Sequence, residues 1–298
     1  MNKKYQELIK QFGEDRVKVN EPLSGHTTFK IGGPADLFYE AQSEEEVVKV
    51  IGKVRDIGVP YFLLAAGSNV LISDKGFRGI IIKLSSCGLQ IENSTVTADA
   101  GLLIMILLNK CQENSLTGLE FMAGIPGTIG GAIRGNAGAW RQNIGDFVKR
   151  VKILSVTGEV SWIDKNNCSF SYRESRFKNN DEIILGVEFS LKIGEGREID
   201  LKIQEFLKKR ETLPKEPSAG CVFVNPKPQS AGELIDRCGL KKSRFGNAQI
   251  SGLHANFIVN LGGAKAVEVE SLVKLAKSEV KRQFGVDLKE EIVKIGKI

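Results

Sequence analysis

The segment from Gly118 to Ala139 is the part of the sequence that most constrains how this chain can fold. It reads GLEFMAGIPGTIGGAIRGNAGA and holds more glycine than an ordered core normally tolerates, because each glycine loses extra backbone entropy on folding. Glycine lets the backbone approach a ligand closely, because successive N–H groups of residues without Cβ atoms can surround a negatively charged group. Pro126 fixes one φ angle and lets Gly127 form a turn. We interpret the segment as a nest of amides that holds a phosphate or a pyrophosphate.

A tight structural turn without a ligand is the alternative interpretation of this segment, and the residues alone leave both open. A flexible linker does not fit, because Phe121, Ile125, Ile129 and Ile133 are apolar side chains that should be buried. The glycine spacing is neither the G-x-G-x-x-G of a Rossmann site nor the G-x-x-x-x-G-K-[ST] of a P-loop. The two common nucleotide-binding fingerprints are therefore absent.

Length and composition are typical of a globular enzyme with two or three domains. The chain has 298 residues, of which 42% are hydrophobic and 26% are charged. The longest apolar run, Leu102–Leu108, is too short to span a bilayer, and the N-terminus lacks the apolar core and cleavage site of a signal peptide. We therefore expect a cytoplasmic protein without membrane insertion.

The net charge of +6 is spread evenly along the chain. No basic block with interleaved aromatic residues is present, so the sequence does not indicate a nucleic-acid partner. Nothing in it requires a protein partner. The mild excess of positive charge suits anionic small molecules.

Five cysteines and two histidines limit the possible chemistry. No two cysteines are close in sequence and their number is odd, which argues against a disulfide framework. With only His26 and His254 available, we expect no metal site. Neither histidine lies in a recognised hydrolase motif.

The predicted elements mix helices with hairpins and indicate an α+β fold. Apolar periodicity predicts helices over residues 3–12, 43–57, 102–114, 199–211, 231–238 and 269–284, and strands or hairpins over 37–41, 61–66, 80–84, 89–98, 151–162, 183–193 and 257–260. The strand over 37–41, the next helix and the strand over 61–66 form a βαβ unit. Its second strand leads into Gly67, Ser68 and Asn69, at the end where ligands bind in α/β units.

Seven stretches, taken together and in order, resemble one enzyme family. They are TTFKIGGPAD, LAAGSNVL, GLEFMAGIPGTIGGAIRGNAGAW, SYRESRFK, PSAGCVFVNP, HANFIVN and KEEIVKIG. The glycine-rich block alone is similar to FAD-binding domains of the vanillyl-alcohol-oxidase type. The stretches around Arg173, Cys221 and Glu291 narrow the resemblance to the UDP-N-acetylenolpyruvoylglucosamine reductases, also called UDP-N-acetylmuramate dehydrogenases, in their shorter type II form.

The resemblance, which covers nearly the whole chain, implies a domain organisation and a reaction. We expect an FAD-binding region of the vanillyl-alcohol-oxidase (PCMH) type over residues 1–194, with two α+β subdomains over 1–80 and 81–194, and a smaller α+β substrate-binding domain over 195–298. It also implies non-covalent FAD and NADPH as the hydride donor. The implied substrate is UDP-N-acetylglucosamine enolpyruvate, which is reduced to UDP-N-acetylmuramate, a peptidoglycan precursor.

Three residues match the family's catalytic positions. Arg173 would pair its guanidinium with the substrate carboxylate. Glu291 would act as a neutral or proton-sharing carboxyl, because an anion would be repelled by the forming enolate. Cys221 stands at the proton-donor position, where serine is common; a free thiol stays largely protonated at neutral pH, and we expect iodoacetamide to alkylate it. Strand alternation leaves open whether Glu290 or Glu291 faces the flavin.

Further positions are carried over from the same resemblance. The cofactor-binding positions are Gly67, Ser68, Asn69, Gly124, Ile125, Pro126, Gly127, Thr128, Gly130, Gly131, Asn136 and Ala137, and the substrate-binding positions are Tyr172, Arg210, Asn225 and His254. Arg134 stands where the family is usually apolar or small, and it could pair with a phosphate or point to solvent. His26 is the one N-terminal histidine that could carry a covalent flavin, but the resemblance favours non-covalent binding.

Two other functions remain open from the sequence. The chain could be another FAD-dependent oxidase of the same superfamily, acting on a sugar or an alcohol and reacting with O₂. It could also be a non-catalytic nucleotide-binding protein. A yellow colour of the purified protein would exclude most of the latter class.

Overall fold

The chain folds into three units, each built on its own sheet, which confirms the predicted α+β class. A computed structural model describes residues 2–298. We define the first unit as residues 3–84, the second as 89–210 and the third as 218–295. Within residues 2–298, no helix combines the length and the hydropathy that a membrane span requires.

The first unit is a mixed sheet with helices on one face. Its elements are α1 (Lys3–Phe12), β1 (Val17–Pro22), β2 (Pro34–Ala41), α2 (Glu44–Asp56), β3 (Tyr61–Leu64), β4 (Val70–Ile72) and β5 (Phe77–Leu84). The sheet order is β1-β2-β5-β3, so β5 lies between the two strands of the predicted βαβ unit and is parallel to both. Leu37 and Tyr39 pack with the helices, whereas Phe38 packs on the opposite face, as the two-residue period of a strand requires.

The second unit is an antiparallel sheet covered by helices. Its elements are β6 (Leu89–Glu92), β7 (Thr95–Asp99), α3 (Ile104–Glu113), β8 (Leu116–Thr117), α4 (Ile129–Arg134), β9 (Gly138–Ala139), β10 (Gln142–Asn143), β11 (Val148–Leu154), β12 (Val160–Asp164), β13 (Ile183–Ser190), β14 (Lys192–Ile193) and α5 (Gly196–Arg210). The order β12-β11-β13-β7-β6 contains both predicted hairpins. The helix predicted from Leu102 begins at Ile104, because the carbonyl of Leu102 accepts from Ile129 N (2.9 Å) and Ile104 N donates to Gly127 O (3.1 Å).

Helix α5 follows the predicted domain boundary at residue 194 but packs on the second unit. Its buried residues Ile199, Ile203 and Phe206 share one hydrophobic core with α3 and β13. The boundary stays a prediction. The packing of α5 favours a position after Arg210.

The third unit is a second antiparallel sheet with two helices. Its elements are β15 (Ser218–Cys221), α6 (Ala231–Arg237), β16 (Arg244–Phe245), β17 (Ala248–Ile250), β18 (Phe257–Asn260), α7 (Ala266–Phe284) and β19 (Val293–Ile295), with the sheet order β15-β18-β17-β16. Its core also takes in Phe29 and Leu71 of the first unit. Strand β19 leaves this unit and pairs in parallel with β4, with Val293 opposite Val70. The C-terminal segment therefore returns to the end of the Gly67–Asn69 loop.

Candidate active site

Backbone pairing brings Cys221 and Glu291 to the same point. After β15 the chain runs antiparallel to the segment before β19: Glu291 N donates to Val222 O (2.8 Å) and Val224 N donates to Lys289 O (2.9 Å). Glu291 is thus adjacent to the residue that follows Cys221. Asn69 belongs to the loop over residues 67–69, which we call the first glycine loop, and it contacts the same segment, because its Nδ2 donates to Glu291 O (3.1 Å).

The structure separates the roles of the two neighbouring glutamates. Glu290 pairs with Lys277 at 3.0 Å and with Lys294 at 2.6 Å. Glu291 instead forms an ion pair with Arg173, with Arg173 Nε 3.0 Å from Glu291 Oε1. Of the two, Glu291 is therefore the one beside the other predicted catalytic groups.

Two nitrogen atoms of the Arg173 guanidinium lie against the protein, and the third is free. Its Nη1 donates to the carbonyl of Gly138 (2.9 Å), and its Nε faces Glu291. The side chains of Arg173 and Glu291 are only 23% and 18% exposed. Among residues 2–298, Arg173 Nη2 makes no hydrogen bond, and the buried Nε lies close to Glu291 without hydrogen-bond geometry. The free Nη2 can therefore bind an anionic group of a ligand.

Burial changes the acidity of both neighbours of Arg173. It raises the pKa of Glu291, although Arg173 and Lys178 oppose this effect. Burial, and then the charge of Glu291, raise the pKa of the Cys221 thiol to about 12, while Arg173, a hydrogen bond from Asn256 and Arg210 act in the other direction. The thiol is therefore protonated at neutral pH, and the carboxyl retains its proton to a higher pH than usual.

The first glycine loop faces the second glycine loop, which we define as residues 124–131. A Cβ on Gly127 would lie 3.3 Å from Ser68 Oγ, and a Cβ on Gly67 would lie 2.2 Å from the carbonyl oxygen of His26, so only glycine fits at residue 67. Among residues 2–298, the backbone N–H groups of Gly67, Ser68, Gly127 and Thr128 have no hydrogen-bond partner. Buried N–H groups rarely stay unpaired, and Gly67 and Thr128 are buried. A phosphate or pyrophosphate fits this position.

Other residues of the glycine-rich segment serve the fold. Gly130 N donates to Ala100 O (2.8 Å), and a Cβ on Gly130 would lie 2.8 Å from the Ala100 Cβ. Thr128 caps α4 by accepting from Gly131 N (3.4 Å), and Ala137 N donates to Ala132 O (2.8 Å). The structural interpretation therefore applies to Gly130, Gly131, Ala137 and the side chain of Thr128, whereas the unpaired N–H groups of Gly127 and Thr128 fit the amide-nest interpretation.

Asn136 was predicted to contact the cofactor, but its side chain is used by the protein. It is buried, its Nδ2 donates to Ser171 O (2.7 Å) and its Oδ1 accepts from Gly145 N (3.0 Å). Its own N–H donates to Ile133 O (3.1 Å). These contacts link the glycine-rich segment to the loop that carries Arg173.

A cleft of about 760 Å³ lies beside the glycine loops, within the size range of cofactor sites. Its walls come from the first unit, from the second glycine loop and from the connection over residues 213–218. The charged side chains in this lining are Lys30, Lys83, Arg210, Lys215 and Glu216. Cations thus outnumber anions in the lining, which favours a ligand with phosphate groups. Gly124 and Pro126 also line the cleft, and Ile125 lies between them.

Two predicted substrate positions lie next to the catalytic residues. Arg210 Nε donates to Ala123 O (2.7 Å), and its guanidinium lies 4.7 Å from the ring centre of Trp140. The guanidinium of Arg173 lies 5.7 Å from the ring centre of Tyr172, which is 38% exposed. The sequence interpretation missed Trp140, whose signal is its position directly after the glycine-rich block.

The side chains of the other two predicted substrate positions bond within the third unit. Asn225 Oδ1 accepts from Ala231 N (2.9 Å) at the start of α6. His254 Nδ1 accepts from Asn256 N (3.2 Å), and burial lowers the pKa of His254. Asn256, which the sequence interpretation missed, is buried and binds both backbone polar groups of Phe223.

The structure shows what Arg134 and His26, the two residues left open by the sequence, contact. The exposed Arg134 reaches the carbonyls of Phe177 and Lys178, so it holds the Arg173 loop instead of facing the two glycine loops. His26 Nε2 lies 2.9 Å from Glu21 Oε1, and its ring stacks on Phe38 with centroids 4.3 Å apart. No group of three or more metal-binding side chains occurs within residues 2–298.

Comparison with known proteins identifies the family. A family model described as "FAD binding domain" matches residues 35–164, and one described as "UDP-N-acetylenolpyruvoylglucosamine reductase, C-terminal domain" matches residues 212–295. The UDP-N-acetylenolpyruvoylglucosamine reductase of Carboxydothermus hydrogenoformans is 42% identical over 296 residues, which is 98% of this chain and 97% of the relative. The corresponding protein of Halalkalibacterium halodurans is 40% identical over 290 residues, 96% of each chain. This chain belongs to the UDP-N-acetylenolpyruvoylglucosamine reductase family.

Membership of the UDP-N-acetylenolpyruvoylglucosamine reductase family makes this chain an FAD-dependent oxidoreductase. The crystal structure of the Thermus caldophilus reductase superposes with a TM-score of 0.81 at 33% identity, covering 94% of this chain and 98% of that one. A glucose oxidase variant, Phl p 4, shares the fold alone, with a TM-score of 0.52 and 13% identity over 65% of this chain and 45% of its own. The predicted FAD-binding domain of the vanillyl-alcohol-oxidase type, followed by a C-terminal domain, is confirmed.

Proposed function

We propose that this chain is a cytoplasmic, NADPH-dependent reductase that converts UDP-N-acetylglucosamine enolpyruvate to UDP-N-acetylmuramate. One observation carries the proposal. Arg173, Cys221 and Glu291 come from three separate segments, and Arg173 and Glu291 are paired at 3.0 Å while both influence the Cys221 thiol. Family membership supports the reaction class.

The residues that would hold FAD fit that cofactor. The unpaired N–H groups of Gly67, Ser68, Gly127 and Thr128 would bind its pyrophosphate, and the cationic cleft beside them would take the rest. When bound, FAD supplies the hydride for the enolpyruvyl group. The bond between Asn69 and Glu291 ties Glu291 to the first glycine loop, and the bond between Arg173 and Gly138 ties Arg173 to the glycine-rich segment.

Each catalytic side chain has a distinct task. Arg173 would bind the substrate carboxylate through its free Nη2, where charge builds during reduction. Glu291, whose pKa is raised, would share a proton with the substrate carboxylate instead of repelling it. The Cys221 S–H would protonate the substrate carbon, and Arg173 and Arg210 would stabilise the resulting thiolate, since both lower the pKa of the thiol.

The same acidity argues against the alternative of a sugar or alcohol oxidase. Oxidation of an alcohol needs a base that removes the hydroxyl proton. Here burial raises the pKa of the Cys221 thiol to about 12, so this thiol carries a proton at neutral pH and is not a base. Proton donors suit the reduction of a carbon–carbon double bond.

Anaerobic product analysis tests the proposal. The purified protein, NADPH and the enolpyruvyl UDP-sugar should yield one molecule of UDP-N-acetylmuramate, heavier than the substrate by two hydrogen atoms, for each NADPH consumed. Boiled protein is the control. If the UDP-sugar is not converted, and a parallel aerobic assay shows consumption of O₂ with a simple sugar or alcohol, the results would instead support the oxidase.

Non-covalent binding of FAD is a prediction about His26. The ring of His26 is already engaged by Glu21 and Phe38, and the chain has only one other histidine. Acid precipitation should therefore release all flavin into the supernatant, as measured by absorbance. Flavin that stays on the washed pellet would contradict this prediction.

A further inference from the structure

The loop over residues 171–178, which carries Arg173, is fastened to the glycine-rich segment by hydrogen bonds on both sides of Arg173. They are Asn136 Nδ2 to Ser171 O (2.7 Å), Arg173 Nη1 to Gly138 O (2.9 Å) and Ser175 Oγ to Arg134 O (2.7 Å). Asn136 and Ser175 are both buried. The donors are therefore shielded from competing water, which makes their loss costly.

Both ends of the side-chain amide of Asn136 are hydrogen-bonded within the protein. Its oxygen accepts from Gly145 N, and a Cβ on Gly145 would lie 2.8 Å from that oxygen. Its own backbone has a φ of +42°, in the left-handed region where asparagine is tolerated. The surroundings thus hold Asn136 in one orientation, with its N–H₂ directed at Ser171.

Arg173 needs such support because its backbone is strained. Its φ is +57°, a conformation that a long side chain adopts at a cost and keeps only when its surroundings enforce it. Ser171 and Glu174 on either side exchange backbone hydrogen bonds of 3.1 Å. A shift of Ser171 would therefore rotate Arg173 and move its free Nη2.

We propose that Asn136 and Ser175 are positioning residues for Arg173, and that the side chain of Asn136 is not a cofactor ligand. The inference rests on the proposed function, because it assigns these residues to the step in which substrate reoxidises the flavin. The inference gives the glycine-rich segment two tasks. Gly127 and Thr128 face the cofactor, and Asn136 holds the loop over residues 171–178.

Asn136→Asp is the variant that isolates the contact. It keeps an oxygen for Gly145 N but replaces the donor to Ser171 O with a second acceptor. We expect flavin reoxidation by the enolpyruvyl UDP-sugar to slow by about 10²-fold, the cost of misplacing a catalytic group by about 1 Å. The Kd for FAD, measured by flavin fluorescence, and the rate of flavin reduction by NADPH should stay within about twofold of the parent. Asn114→Asp is the matched control, since Asn114 donates to Lys110 O at 2.8 Å on an exposed helix end.

A double-mutant cycle with Arg173→Lys separates positioning from a general structural effect. If Asn136 acts through Arg173, the double variant should be reoxidised at a rate within about twofold of that of Arg173→Lys alone. Ser175→Ala should show the same non-additivity, and it decides the question if Asn136→Asp does not fold.

The outcomes are distinguishable. A weaker Kd for FAD in Asn136→Asp, or losses that multiply in the cycle, would overturn the inference. Parental reoxidation in both single variants would also overturn it. If the parent itself fails to be reoxidised by the UDP-sugar, the proposed function is wrong, and this inference falls with it.

Discussion

At the residue scale, the surroundings of Cys221 keep its thiol protonated. Burial and the nearby Glu291 carboxyl raise its pKa to about 12, although Arg173 and Arg210 lie close enough to lower it. A protonated thiol next to two cations is a proton donor whose product, the thiolate, is stabilised where it forms. Cysteine at a position where serine is common therefore suits the same chemistry.

Replacing Cys221 tests this role. Cys221→Ala should slow flavin reoxidation by substrate by about 10²–10⁴-fold, the usual range for losing a general acid. Flavin reduction by NADPH should be nearly unchanged, because that step needs no proton on a substrate carbon. Cys221→Ser should keep much of the activity. Rapid-mixing absorbance measurements check both steps, and an alanine variant with the parental reoxidation rate would remove Cys221 from the mechanism.

The raised pKa changes what alkylation should show. The sequence alone suggests that iodoacetamide reacts with Cys221, but only the thiolate reacts, and at pH 7 a thiol with a pKa of about 12 is almost fully protonated. Alkylation of Cys221 should be slow at pH 7 and accelerate with each step toward higher pH. Peptide mass spectrometry should find exposed Cys87 modified first. Rapid labelling of Cys221 at pH 7 would show that the thiol is not protonated as described.

At the element scale, the facing glycine loops define the cofactor position. Gly127 has a φ of +147°, where a side chain is strained, and a Cβ there would also press on Ser68 Oγ at 3.3 Å. Gly127→Ala should weaken FAD binding by about tenfold, corresponding to strain of about 1–2 kcal/mol. The matched control is Gly158→Ala, which has a φ of +90° but open space around its Cβ. Equal FAD affinity for parent and Gly127→Ala in a fluorescence titration would contradict this arrangement.

Much of the local structure could be predicted from the sequence. Helices α1 and α7 and both hairpins follow from residue periodicity, which is a local property. The position of β5 between β2 and β3 could not be predicted, because pairing depends on contacts between distant segments. The side-chain bonds of Asn136, Asn225 and His254 within the protein were hidden for the same reason. Glu290 and Glu291 differ only in the partners that tertiary packing gives them.

At the scale of the whole molecule, the third unit is anchored to the first. Strand β19 pairs with β4, Asp74 Oδ1 accepts from Ala266 N at the start of α7 (2.8 Å), and Asn260 Nδ2 donates to Phe29 O (3.0 Å). The contacts set the distance between the first glycine loop and Glu291. The second unit contributes Arg173, so the site is complete only when all three units are in place.

The measurement that tests this account most directly is an anaerobic double-mixing experiment that follows flavin absorbance. NADPH first reduces the bound flavin. The enolpyruvyl UDP-sugar is then added in one experiment, and buffer that contains dissolved O₂ in the other. We predict that the UDP-sugar restores the oxidised spectrum with one equivalent per flavin and faster than O₂ does. A flavin that O₂ reoxidises rapidly while the UDP-sugar leaves it reduced would contradict the account.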